Sequence, residues 1–109
     1  MEDRTIKVKE IVKVLNGLEK VRLIGNGYTN NCFFDDEKNL TDKYEVTFKE
    51  KRKYILIDFG HSSGFMIDKT DNQIYNTKGY GVVNKKKCYG SIFDISISEL
   101  YKLRYDYRN

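Results

Sequence analysis

Near the start of the chain, apolar residues recur at helical spacing. Val8, Ile11, Val12 and Leu15 line one side of "IKVKEIVKVLNGL", and Lys7, Lys9, Glu10 and Lys13 line the other. That period predicts a short amphipathic helix with Gly17 as its C-terminal stop. In "KVRLIGNGY", Val21, Leu23 and Ile24 precede Asn26-Gly27, a pair favoured in two-residue hairpin turns, so a strand and a hairpin are expected there. From Tyr28 to Lys43 the text turns polar, which suggests a brief strand around Cys32 to Phe34 and then an acidic loop.

The period then changes from helical to alternating. Tyr44, Val46 and Phe48 alternate with Glu45, Thr47 and Lys49, the mark of a half-buried strand. Glu50-Lys51-Arg52-Lys53 links it to "YILIDF", apolar on both faces as far as Asp58 and therefore a candidate for the central strand. Two further strands flank Thr70-Asp71-Asn72-Gln73, with Asn72 suited to a left-handed turn position. "GYGVVNKKKCYGSIFDI" supplies one or two more. Ser96-x-x-Glu99 is a capping-box pattern opening a C-terminal helix through Leu100, Tyr101 and Leu103.

Helices do not alternate with these strands, which argues against a doubly wound parallel sheet. The expected fold is α+β: a mostly antiparallel, twisted sheet of five to seven strands with a short N-terminal helix and a C-terminal helix. With 109 residues, the chain (1–109) is expected to form a single compact domain. Nine Tyr and six Phe supply much of the buried area, and the absence of Pro leaves turns to Gly, Asn and Asp. No apolar run is long enough to span a bilayer and Met1-Glu2-Asp3-Arg4 opens no signal peptide, so no membrane association and a cytoplasmic location are expected, the host cytoplasm if a phage encodes it. Cys32 and Cys88 form no CxxC pair, and two free thiols are expected.

The segment Gly60-His61-Ser62-Ser63-Gly64 matches the G-x-S-x-G of a nucleophile elbow. An elbow needs a helix after its serine, whereas Phe65-Met66-Ile67-Asp68 reads as a strand. The chain's one histidine, His61, sits beside the candidate nucleophile rather than on a separate segment. A hairpin is the better reading, with a small nuclease or hydrolase centred on His61 as the enzymatic alternative. His61, Cys32, Cys88 and Asp58 match no zinc spacing, and Asp35-Asp36-Glu37 lacks the ligand spacing of a calcium loop. Neither a metal nor a cofactor is implied.

The net charge of +4 is modest and intermixed. Its most suggestive concentrations are Lys85-Lys86-Lys87, flanked by Tyr80 and Tyr89, and Lys51-Arg52-Lys53 before Tyr54. Lysines reach phosphates and tyrosines offer flat faces to unpaired bases, so direct binding of single-stranded RNA or DNA is one reading. Tyr and Arg are also frequent anchors of protein interfaces, which gives the other. These eight residues are the candidate binding set.

The stretch "GFMIDKTDNQIYNTKGYGVVNKKKCYGSI" resembles a segment of small accessory proteins of bacteriophages and other mobile elements. The shared features are an apolar strand ending in Asp-Lys, a short turn, Ile-Tyr, a Gly-Tyr-Gly element and a basic Tyr-Gly exit. The resemblance covers about the middle third of the chain. It implies a non-catalytic inhibitor that docks on a host protein or nucleoprotein complex, an anti-defence role that includes blocking CRISPR nucleases. It brings no catalytic residues with it.

Overall fold

The computed structural model describes residues 4–37, 39–79 and 82–106. Its elements are helix α1 (Arg4–Gly25), strands β1 (Val46–Glu50), β2 (Tyr54–Phe59), β3 (Ser62–Asp68), β4 (Gln73–Gly79) and β5 (Val82–Ser91), and helix α2 (Ile97–Asp106). The strands form one antiparallel sheet in the order β1-β2-β3-β4-β5. This is the α+β arrangement expected from the sequence, with five strands. The middle strand is β3, so the apolar run of β2 is inner but not central.

Helix α1 is longer than its first apolar repeat suggests. It passes through Gly17 and continues to Gly25, burying Val8, Ile11, Leu15, Glu19 and Leu23, one step of three residues followed by steps of four. Glu19 hides this continuation in the sequence, because a carboxylate occupies a core position. Its Oε1 accepts from the Tyr101 hydroxyl on α2 at 2.8 Å, and its Oε2 pairs with Arg22 at 3.1 Å. Asn26-Gly27 ends this helix instead of turning a hairpin. Gly27 has φ 80°, and Tyr28 N–H donates to Leu23 O at 2.9 Å, the six-to-one bond of a Schellman cap. Hairpin and cap both demand a left-handed residue, which is why the dipeptide reads as either.

The segment after α1 is better organised than a polar loop. In place of a strand at Cys32–Phe34 there is a single bridge, Phe34 to Leu40. Leu23, Phe34 and Leu40 form a small second core edged by Phe33 and Tyr44. Tyr28 stacks on Phe33 at 5.1 Å, and Phe33 meets Tyr44 at 4.6 Å. Strand β1 starts at Val46, two residues after the alternation begins. Its outer edge is met by the Asn16 side chain, which accepts from Val46 N–H at 2.7 Å and donates to Val46 O at 2.9 Å. One amide thus takes the place of a strand partner.

Both helices pack on one face of the sheet. Val8, Ile11, Leu15 and Leu100 join Val46, Ile55, Ile57, Phe59, Phe65, Ile67 and Ile74 in a single core. The turns between strands are tight. Gly60 has φ 65° at the first position of the two-residue loop between Phe59 and Ser62, the sense of a II′ turn, and a Cβ there would collide with the Lys43 carbonyl. Asn72, with φ 58°, takes the left-handed position before β4.

Candidate functional site

The alternation that sends Ile55, Ile57, Ile67 and Ile74 to the helices sends their neighbours to the opposite face. The register sets these in rows: Lys49, Leu56, Met66, Tyr75 and Cys88 across all five strands, Tyr54 beside Asp68 at one end, and Asp58 beside Ser63 towards the other. Neither helix shares in this face, yet Leu56 and Met66 are buried. Long side chains from neighbouring strands do part of the covering.

Lys85 shows how. Its ammonium lies 5.3 Å from the Tyr75 ring centroid and 5.9 Å from that of Tyr54, and 2.9 Å from Asp68 Oδ2. A side chain from edge strand β5 therefore reaches across β4 to the middle of the sheet. The ladder explains the reach. Tyr75 pairs with Cys88 while Asn76 pairs with Asn84, so Lys85, Lys86 and Lys87 bulge out between them. The remaining bonds of Asp68 come from Thr70, N–H at 2.8 Å and hydroxyl at 2.6 Å to Oδ1. These two donors, together with Lys85, bring the Asp68 carboxyl down to about 2. The same bond to Asp68 raises Lys85 above its ordinary value, and donation to Asp71 Oδ2 at 2.9 Å raises the Tyr75 hydroxyl. The result is an ordered surface of two rings, one ammonium and one ionised carboxylate.

Of the two basic segments singled out in the sequence, one sends Lys85 to the residue that directly follows the other. Lys51, Arg52 and Lys53 are exposed in the β1–β2 turn, immediately before Tyr54, whose ring faces Lys85. Lys69 joins them, its N–H donating to Lys53 O at 3.0 Å and its ammonium pairing with Glu50 at 3.0 Å. Lys86 and Lys87 stay exposed on β5. Tyr89 does not belong to this surface. It is half-buried, edge-on to Phe65 at 5.5 Å, and packs against the helix-side core. Tyr80 lies outside the described residues. Tyr54, Tyr75 and Asp68 were absent from the sequence-derived set; the alternation of β2, β4 and β3 assigns each to a face of its strand, but not which face the helices leave open.

The G-x-S-x-G segment is a hairpin. Gly60 and His61 form the turn, Ser62 and Ser63 begin β3, and Ser63 Oγ lies 3.1 Å from Thr77 Oγ1. A strand follows the serines where an elbow requires a helix. Asp58 is buried on β2 while His61 is exposed. Both cysteines are free and exposed, with Cys88 Sγ 3.3 Å from Gln73 Oε1. Among the described residues no group of three or more His, Cys, Asp or Glu side chains is placed to hold a metal ion, and no helix is long and apolar enough to cross a membrane.

A cleft of about 590 Å³ lies elsewhere, between α1 and the segment before β1, with Asn16, Lys20, Asp35, Leu40, Asp42 and Glu45 among its walls. Its polar groups are partly committed to the fold: Asn16 holds Val46, and Asp35 Oδ1 accepts from the N–H groups of Glu37 and Asn39 at 2.9 Å each. Compared with known protein families, curated proteins and solved structures, the chain finds no match.

Proposed function

We propose that this chain is a non-catalytic binding protein, an inhibitor of the phage accessory, anti-defence type, which docks on a host protein or nucleoprotein complex. The docking surface is the helix-free sheet face around Tyr54, Tyr75 and Lys85, extended by the exposed turn Lys51-Arg52-Lys53 and by Lys86 and Lys87. The supporting observation is the Lys85 ammonium held between two tyrosine rings and Asp68 on the face that neither helix covers. Rings fixed before binding lose little side-chain entropy on contact, which is what interface anchors need.

At the centre of this surface, protein is favoured over naked nucleic acid by the charge balance. Asp68 compensates Lys85 and Glu50 compensates Lys69, so these two cations have little left for phosphates. The test is capture of partners on immobilised protein from a bacterial host lysate, with and without nuclease treatment. The expected result is one protein or complex retained equally in both arms. Retention that disappears with nuclease, together with steeply salt-dependent binding of plain single-stranded RNA or DNA, would instead establish the nucleic-acid reading.

A further inference from the structure

Helix α1 buries one side and carries a second apolar stripe on the other. Val14, Val21 and Ile24 are 38%, 70% and 57% exposed, and Ile6, two turns upstream of Val14, is 65% exposed. Val14, Gly17, Val21 and Ile24 follow the three-then-four spacing of coiled-coil a and d positions. Gly17 has no neighbour from its own chain within 4 Å of a built Cβ, so another backbone can approach there. Lys13 and Lys20 flank this seam on one side at the g positions, while Lys7, seven residues before Val14, falls on the seam itself. Glu10, which falls on the seam line, is paired with Lys7 at 3.5 Å. Of these lysines only Lys20 shares the cleft walled by Asp35, Asp42 and Glu45.

We infer that this outer stripe of α1 is a second docking surface, and that its occupant is an amphipathic helix of a partner protein with acidic residues flanking an apolar seam. The charges select this occupant over a second copy of the chain. Antiparallel copies would set Lys13 and Lys20 against the same lysines, and parallel copies would set them against Leu18 and Gly25, which offer no counter-charge. Heptad spacing around a glycine suits a helix rather than a lipid surface, where aromatic and larger aliphatic residues serve better. The stripe points away from the sheet, so it is independent of the surface proposed above, and either can fail alone.

The probe is a synthetic peptide of about three heptads with Leu at a and d and Glu at e and g, kept monomeric by its own repulsion. A control peptide carries Lys at e and g. Binding to the full chain is followed by fluorescence anisotropy, alongside sedimentation equilibrium of the chain alone and flotation with phosphatidylserine vesicles. The acidic peptide is expected to bind about tenfold or more tightly than the basic one, and the V21S/I24S variant, unchanged in circular dichroism, to lose about tenfold, each about 1.4 kcal/mol. Absent binding, equal binding of both peptides, or an unaffected variant would overturn the inference. So would dimerisation or vesicle binding that the same two substitutions abolish.

Discussion

At the residue scale, single side chains hold the surface and the turns in place. The Asp68 carboxyl is lowered from 3.8 to about 2 by Thr70 and Lys85, so its contribution is complete above its unfolded value and is lost as pH falls through the folded one. In urea titrations, the stability advantage of the wild type over Asp68→Asn should therefore shrink as pH drops from about 4 towards 2. An advantage that stays constant over that window would refute the assignment. Gly60 sits at positive φ with the Lys43 carbonyl where a Cβ would go, so Gly60→Ala should cost more than about 2 kcal/mol in denaturant unfolding. Gly17 is the converse case, a mid-helix glycine with open space. Gly17→Ala should add about 0.5–1 kcal/mol and raise Tm by several degrees.

At the scale of elements, polar links from Asn16 to β1 and from Glu19 to α2 add to the apolar packing of α1, and these are what the sequence concealed. The Tyr101 hydroxyl joins α2 to the buried Glu19 carboxylate, so Tyr101→Phe should destabilise by about 1.5–3 kcal/mol, the range for a bond to a charged group. Equal stability of the variant in chemical denaturation would show that this link is idle. Strand existence was legible from alternation in "YEVTF" and from the apolar run "YILIDF", because period two survives whatever packs on top. The second half of α1 was not, since Glu19 occupies the place of an expected apolar residue and Gly17 resembles a stop. Tyr89 misled for a related reason: three lysines come shortly before it, yet alternation turns its ring inward onto Phe65.

At the scale of the whole molecule, both helices lie on one side of the sheet, and the opposite face is finished with tyrosine, lysine and aspartate instead of a third layer. Sheets buried on a single face commonly leave the other to solvent. Here that other face carries an ion pair between two ordered rings, which is more organisation than solvation requires. The sequence grouped Lys51-Arg52-Lys53 with Lys85-Lys86-Lys87 by composition, and in the fold Lys85 reaches Tyr54, the residue directly after the first of them. The proposed docking role rests on that convergence. The most direct measurement compares partner retention from nuclease-treated host lysate by the wild type and by the Tyr54→Ala/Tyr75→Ala variant, with folding of both checked by circular dichroism. Removing two anchors of about 2 kcal/mol or more in total should weaken retention by about thirtyfold or more. Undiminished retention by a folded variant would contradict the claim that the helix-free face is where this protein binds.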